Sequence, residues 1–174
     1  MVSSVLTHAP ARLPAGWRGL VWRMRISAKA DYAIRALVEL AADSGRPLSC
    51  EAIAAAQEIP YRFLKAVMGD LRRVGLVRSQ RGCEGGYWLG RDAAAITLAD
   101  VVGAVDGGLV NVHGVSPDGL VYPAPAHRIA VVWQAVRVRA EEIFAGVTIA
   151  DLLTDTPGEP AASLLRPGRI PALT

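Results

Sequence analysis

Cysteine is scarce in this sequence, because the 174-residue chain has only two. Two thiols cannot form the disulfide framework of a small secreted domain or a four-thiolate metal site. Although 52% of the residues are hydrophobic, no uninterrupted apolar run approaches the roughly 20 residues that a transmembrane helix needs. We therefore expect a cytoplasmic protein with a packed core, without disulfides and without a membrane span.

Aromatic residues are also few, at 6%, and lysine supplies only two of the 19 basic residues. Alanine is abundant instead, with 29 residues, which favours helices over strands. The 17 arginines are compatible with phosphate recognition, but a GC-rich coding bias explains them more simply. The formal net charge of +3 is too small to identify a nucleic-acid partner.

Neither end of the chain shows helical or strand periodicity. In residues 1–23 the arginines follow a weakly apolar start, which is the reverse of the order in a secretory signal. A regular helical pattern opens at Met24, so we expect residues 1–23 to be disordered or an untranslated leader, with translation beginning at Met24. Residues 154–174 contain four prolines and are expected to be a disordered tail.

Periodicity, caps and breakers predict a mainly α fold with one small β-hairpin between these ends. The predicted helices cover residues 27–43, 51–57, 60–74, 97–106 and 127–144. The hairpin pairs 76–79 with 87–89 across a glycine-rich turn. Three helices followed by a hairpin is the order of a winged helix-turn-helix, whose third helix enters the DNA major groove. We accordingly assign 24–107 to a DNA-binding domain, 108–125 to a loop, and 126–153 to a long helix with a terminal turn.

Positive charge is concentrated on the third helix and the hairpin. Residues 60–91 hold seven basic and two acidic residues, a local net charge of +5. An apolar stripe at Leu64, Val67, Met68 and Leu71 leaves Tyr61, Arg62 and Lys65 pointing elsewhere, with Phe63 near the boundary. Arg62 and Lys65 are suited to guanine, and Lys65 also to a phosphate. An ordinary solvated basic face is the alternative interpretation.

The turn of the hairpin predicts a DNA-contacting wing. Arg81 at its tip can enter a narrow minor groove, and Arg78 lies on the preceding strand. Gly82, Gly85 and Gly86 allow the backbone to approach DNA closely. A phosphate-binding loop would require a Lys-Ser or Lys-Thr pair and a helix directly afterwards, and both are missing from the sequence here.

Four stretches together resemble the Rrf-two family of bacterial winged-helix transcriptional regulators. They are MRISAKADYAIRALVELA, QEIPYRFLKAVMGDLRRVGLV, RSQRGCEGGYWLGR and ITLADVVGAVDG, and the resemblance covers residues 24–153. It implies a homodimer that binds a palindromic operator in double-stranded DNA and represses transcription. Arg62, Phe63 and Lys65 fall at the family's recognition-helix positions, and Arg81 falls at its wing arginine.

The long helix after residue 126 is expected to be the dimerisation element that the resemblance implies. Its apolar face is long enough to favour a partner helix in a two-fold dimer, although it could instead cover the domain's own core. The residues predicted to pair are Ile129, Trp133, Val136, Ile143 and Phe144.

One departure from the family concerns its sensor loop. Members that bind an iron–sulfur cluster carry three cysteines between the fourth helix and the dimerisation helix, whereas residues 107–125 contain none. Thiolates are the usual ligands of such clusters, so we expect no cofactor. His113 and His127 do not form a convincing metal set either, and no residue pattern in the loop identifies an effector.

The two cysteines are possible redox residues. Cys50 begins the second helix, where backbone amides can lower a thiol pKa, and Cys83 lies among the arginines of the wing. The simpler interpretation is that both are incidental small side chains. No Ser/His/Asp or Cys/His spacing points to catalysis, so we expect no enzyme. The remaining alternative to a DNA-binding regulator is a winged-helix module that binds another protein.

Overall fold

A computed structural model describes residues 26–43, 46–82 and 85–154. Within these ranges the chain forms five α-helices and one two-stranded antiparallel hairpin, so the predicted mainly α fold with a small hairpin is confirmed. The elements are α1 (Ala28–Ala42), α2 (Cys50–Ala56), α3 (Tyr61–Arg73), β1 (Val77–Gln80), β2 (Gly86–Leu89), α4 (Leu98–Asp106) and α5 (Ile129–Ala145). The predicted leader at 1–23, the predicted tail apart from Thr154, and Cys83 lie outside the described residues.

The helices begin where short polar side chains can bind the free amides of a first turn. The hydroxyl of Ser27 accepts from the amide of Ala30 at 2.9 Å, and that of Ser49 accepts from the amide of Ala52 at 3.0 Å. At α4, the Thr97 hydroxyl accepts from the Asp100 amide at 3.1 Å while the Asp100 carboxylate accepts from the Thr97 amide at 3.0 Å. This reciprocal pair is the capping box that the sequence predicts.

Two predicted helix starts differ from the structure. Pro60 precedes α3 instead of forming its first residue, because its ψ of 119° is extended and its carbonyl accepts the first helical bonds, from Phe63 and Leu64. The fifth helix begins at Ile129 instead of His127, since Ala126–Arg128 form a tighter 3₁₀ turn.

The core lies between α1, α3, α4 and the base of the hairpin. The predicted stripe of α3 is entirely inside it, because Leu64, Val67, Met68 and Leu71 are each 0% exposed. Leu37 of α1 and Ile53 of α2 are also fully buried. Burial of the stripe determines which face of α3 is left for solvent.

The turn between α2 and α3 is held by side chains of α1. Glu58 in this turn has a positive φ of 52°. Arg35 donates to the side-chain oxygen of Gln57 at 3.3 Å and also to its backbone carbonyl. The side-chain amide of Gln57 in turn donates to the Glu39 carboxylate at 2.5 Å. The first helix therefore sets the position at which α3 begins.

The hairpin pairs Val77 with Leu89, Arg78 with Trp88, Ser79 with Tyr87 and Gln80 with Gly86. An isolated bridge places Leu48 beside β2, with Leu48 and Tyr87 exchanging backbone hydrogen bonds of 3.1 and 2.8 Å. This bridge could not be predicted from the sequence, because a one-residue bridge has no periodicity.

The segment after α5 returns to the winged-helix body. The amide of Leu98 donates to the Val147 carbonyl and that of Ile149 to the Ile96 carbonyl, each at 2.9 Å. Ile149 is fully buried in the same core as α3. This segment was predicted to belong with the dimerisation helix in residues 126–153, whereas in the structure it packs against the start of α4.

The segment 108–125 contacts α5 through its 3₁₀ turn at Pro117–Gly119. Pro117 is buried, and Arg137 of α5 lies 2.8 Å from Asp118 and 2.5 Å from Glu141. No helix in the described ranges is long and apolar enough to cross a membrane.

Candidate nucleic-acid interface

The basic residues of α3 and the hairpin are all on the surface. They are Arg62, Lys65, Arg72, Arg73, Arg78, Arg81 and Arg91. For the four on α3, exposure follows from the burial of the α3 stripe, which turns the remaining faces of this helix outward. The cluster that the sequence predicts is therefore available to an acidic partner.

Some of these cations are already used inside the chain. Arg73 forms an ion pair with Asp70 at 2.7 Å, Arg72 donates to the Ser79 hydroxyl at 3.3 Å, and Arg91 donates to the Val74 carbonyl at 3.4 Å. By contrast, Arg62, Arg78 and Arg81 have no hydrogen-bond or ion-pair partner among the described residues. Within this part of the chain, no contact occupies the donors that a ligand would use.

The first turn of α3 also carries two exposed aromatic side chains. Phe63 is 44% exposed, and its ring contacts Tyr32 of α1 edge to face at a centroid distance of 5.4 Å. Arg35 lies 5.8 Å from the Tyr32 ring on the same helix. Phe63 therefore anchors the start of α3 to α1 while leaving part of its ring at the surface.

Tyr61, at 40% exposure, lies beside the start of α2. Its pKa is raised, first by a hydrogen bond to the Glu51 carboxylate. The pKa of Glu51 is lowered, first by its own backbone amide and then by Tyr61, with a smaller contribution from the charge of Lys65. An acidic side chain is thus placed next to two of the predicted DNA-binding residues.

The hairpin separates Arg78 from the cations of α3. Alternate residues of a strand point to opposite faces, and the inner face is formed by the pairs Val77–Leu89 and Ser79–Tyr87. Arg78 lies with Trp88 on the outer face, whereas Arg72 reaches Ser79 on the inner one. On that face Arg78 lines a groove with Asp43, Arg46 and Trp88.

The glycines of the wing have a role in its own packing. A Cβ at Gly85 would lie 2.4 Å from the Gln80 carbonyl oxygen, and one at Gly86 would lie 2.8 Å from the Leu48 carbonyl oxygen. Gly82 has open space around it but a φ of 122°, which side chains rarely adopt. These contacts require glycine before any DNA is considered.

Cys50 is buried, at 7% exposure. Burial raises the pKa of its thiol, which is the opposite of the direction suggested by its position at a helix start. Since the thiolate is the reactive form, the buried site disfavours reaction of Cys50 with oxidants.

The predicted dimerisation residues lie along α5. Ile129, Val136 and Ile143 are exposed, Trp133 is half-buried, and Phe144 packs partly against the core. An open groove of ≈ 450 Å³ runs along this face and is lined almost entirely by apolar side chains. Its walls are formed by Val131, Val132, Ala135, Val136, Arg139, Ala140, Ile143 and Phe144.

The donor set of the loop does not fit an iron–sulfur cluster. Residues 107–125 contain no cysteine, and thiolates are the usual ligands of such clusters. In the part of the chain that the structure describes, no three His, Cys, Asp or Glu side chains are grouped so as to hold a metal ion. His113 has a positive φ of 54° in a tight turn bounded by the Val112–Val115 bridge.

Three side chains of α1 support the interface but were not predicted from the sequence. They are Tyr32, Arg35 and Glu39. Their spacing of three and four residues places them on one side of α1. That side lies next to the buried residues of α1. A row of polar and aromatic side chains at this position is the sequence signal that could have predicted a second contact surface.

Residues 26–155 match the family model Rrf2, described as "Iron-dependent Transcriptional regulator". A Mycobacterium tuberculosis (strain ATCC 25618 / H37Rv) protein named as an HTH-type transcriptional regulator, Rv1287, is 43% identical over 130 residues, which cover 74% of this chain and 81% of that protein. The HTH-type transcriptional regulator CymR of Bacillus subtilis (strain 168) is 33% identical over 140 residues, covering 80% and 96%.

Solved structures agree with the sequence relatives. The structure of CymR, the global cysteine regulator of B. subtilis, has a TM-score of 0.63 at 32% identity and covers 76% of this chain and 98% of that one. The structure of T. potens IscR has a TM-score of 0.60 at 30% identity and covers 75% and 87%. The predicted family and winged-helix fold are confirmed, and the family consists of regulators and not of enzymes. The chain belongs to the Rrf2 family of DNA-binding transcriptional regulators.

Proposed function

We propose that this regulator binds a palindromic operator as a homodimer and represses transcription by occluding the promoter. The observation that carries the proposal is the pair of exposed cations at the start of α3 and at the wing tip, Arg62 and Arg81, which have no hydrogen-bond or ion-pair partner among the described residues. In helix-turn-helix proteins the start of the second helix of the motif contacts base edges. Arg62 is suited to a paired contact with guanine, and Arg81 to the minor groove.

The exposed apolar face of α5 supports the dimer. Solvent-exposed valine and isoleucine side chains along one helix are costly in an isolated chain. A second copy related by a two-fold axis would cover the same residues on both protomers. The two α3 helices would then lie about one DNA turn apart, roughly 34 Å, in keeping with a palindromic site.

We propose that the protein works without an iron–sulfur cluster and in the cytoplasm, where its DNA target lies. The absence of cysteine from residues 107–125 supports the first point. Protein purified without oxygen should contain no stoichiometric iron or acid-labile sulfide and should show no charge-transfer absorbance in the visible region. Stoichiometric iron and sulfide together with such absorbance would contradict this part of the proposal.

The experiment that tests the function begins with a genome-wide map of bound DNA, which identifies the operator. Affinity for that operator and for a scrambled duplex is then measured as a function of salt. Contacts with phosphate release counterions, so log affinity should fall steeply and linearly with log salt concentration. A protein-interaction module would bind neither duplex in a salt-dependent manner.

Variants at the interface make the test residue-specific. Arg62→Ala and Lys65→Ala should reduce discrimination between operator and scrambled DNA, and Arg81→Ala should cost about 1–3 kcal/mol of binding free energy if it makes a good groove contact. Arg46→Ala is a matched control, because Arg46 is an exposed arginine that is paired with Asp43 and is not among the residues proposed for DNA binding or dimerisation. Equal operator affinity of the wild type and an Arg62/Arg81 double variant would refute the proposed function.

A further inference from the structure

Lys29 joins three helices through a single ammonium group. Its Nζ lies 2.6 Å from Oδ2 of Asp70 on α3 and donates to the carbonyl of Val105 on α4 at 2.7 Å. Lys29 itself is in the first turn of α1. Among the described residues, this is the only ion pair that links α3 to another helix.

Both partners are groups that need a cation. The carbonyl of Val105 is in the last turn of α4, where carbonyls have no partner within the helix and where positive charge is favourable. The side chain of Asp70 is only 18% exposed and is also bound by Arg73 at 2.7 Å. Removing the Lys29 ammonium would leave a half-buried carbonyl and a mostly buried carboxylate without their shared donor.

The contact lies far enough along α3 that a small change in helix angle there would move the predicted base-reading residues. Asp70 is eight residues after Arg62, which corresponds to about 12 Å along the helix axis. A tilt of about 5° about Asp70 would displace Arg62 by roughly 1 Å over that length. Hydrogen bonds to base edges weaken steeply over such a distance, whereas contacts with phosphate charges decay more slowly.

We propose that Lys29 is a positioning residue for sequence-specific DNA recognition. It holds α3 against the end of α4 at the angle that presents Arg62 and Lys65 to the bases, without touching DNA itself. This inference rests on the proposed DNA-binding function and assigns sequence discrimination, in part, to a residue on α1 outside the predicted interface.

Lys29→Met removes the ammonium while keeping an unbranched side chain, and Lys29→Arg keeps the charge. The measured quantity is the ratio of affinities for operator and scrambled duplex, at a temperature where every variant is folded by circular dichroism. Lys29→Met should reduce this ratio about tenfold, as a single mismatched base pair does, and leave the salt dependence of binding unchanged. Lys29→Arg should retain most of the ratio.

A control variant separates positioning of α3 from a general loss of stability. Thr97→Ala removes the cap of α4 and weakens the same body without touching the Lys29 contact. The inference is overturned if Lys29→Met and Thr97→Ala have the same affinity ratio, or if Lys29→Met lowers the salt dependence, since the lysine would then contact phosphate. If the wild-type protein instead binds the operator and the scrambled duplex with equal affinity, the proposed function is overturned.

The partner on α3 provides a second measurement. Asp70→Asn should lower the ratio as Lys29→Met does, and the loss in the double variant should be smaller than the sum of the two single losses, because both changes remove the Lys29–Asp70 contact. Additive losses would show that the two residues act separately and would contradict the proposal.

Discussion

Replacing Gly90 with alanine should destabilise the base of the wing. Gly90 follows β2 and its amide donates to the carbonyl of Leu76 at 2.8 Å. A Cβ at this position would lie 2.0 Å from the carbonyl oxygen of Gly75 and 2.9 Å from its carbonyl carbon. Both neighbours are backbone atoms of the turn that ends α3, so no side-chain rotation can relieve the clash.

The cost can be worked out from these distances. Even a short carbon–oxygen contact keeps about 3.3 Å between the atoms, so the turn must retreat by more than about 1 Å. Overpacking of this kind costs about 1–3 kcal/mol. Loss of the hydrogen bond from the Gly90 amide to the Leu76 carbonyl adds about 1 kcal/mol. Alanine also lowers the conformational entropy of the unfolded chain, which offsets about 0.4–1 kcal/mol of this loss. We expect a net loss of about 1–3.5 kcal/mol in the free energy of unfolding.

Urea unfolding followed by circular dichroism measures this loss, and Gly69→Ala is the matched control. Gly69 lies inside α3, and a Cβ there would meet no heavy atom within 4 Å. Alanine is the better helix former by about 0.5–1 kcal/mol, so this variant should be stabilised. A Gly90→Ala protein as stable as the wild type, or a destabilised Gly69→Ala protein, would refute the steric reasoning.

Three further predictions concern pH, a helix cap and a thiol. The pKa of Asp70 is lowered, first by its hydrogen bond with Lys29, so its carboxylate stabilises the fold above the usual carboxyl pKa of about 4 and the effect is lost as pH falls through the lower folded value. The stability gap between wild type and Asp70→Asn should therefore close in urea titrations at acid pH, and a gap independent of pH would contradict this. Thr97→Ala should cost about 0.5–2 kcal/mol in urea unfolding, with Thr97→Ser restoring most of it; a fully stable alanine variant would show that the cap contributes nothing. In a Cys83→Ser background, Cys50 should be alkylated by iodoacetamide far more slowly in the folded protein than in urea, because burial raises its pKa, and equal rates would indicate an accessible thiol.

Local features of the fold could be predicted from sequence because each depends on residues a few positions apart. Ser27, Ser49 and Thr97 cap helices as expected, since a hydroxyl reaches an amide three residues on regardless of the rest of the chain. The buried stripe of α3 follows from its helical period in the same way. Such signals determined the order of the elements and the exposure of Arg62 and Lys65.

The candidate site could be predicted in outline but not in its internal partners. Arg78 has the same charge as the other cations of the cluster, and only the register of β1 with β2 places it beside Trp88. Phe63 falls at a predicted DNA-binding position, yet its contact with Tyr32 depends on how α1 and α3 cross. The sequence does not encode such crossings in any short-range pattern.

The sequence by itself determined the helices, the hairpin, the family and the local concentration of positive charge, because periodicity, capping and motif spacing are short-range properties. Tertiary structure decided which charges stay free and what holds α3 in place. Lys29 and its Val105 acceptor are 76 residues apart, and Ile149 closes a core whose other members begin at Ala30. Contacts of that separation arise only when packing brings the elements together, so they follow from the burial of the whole apolar surface and not from any one segment.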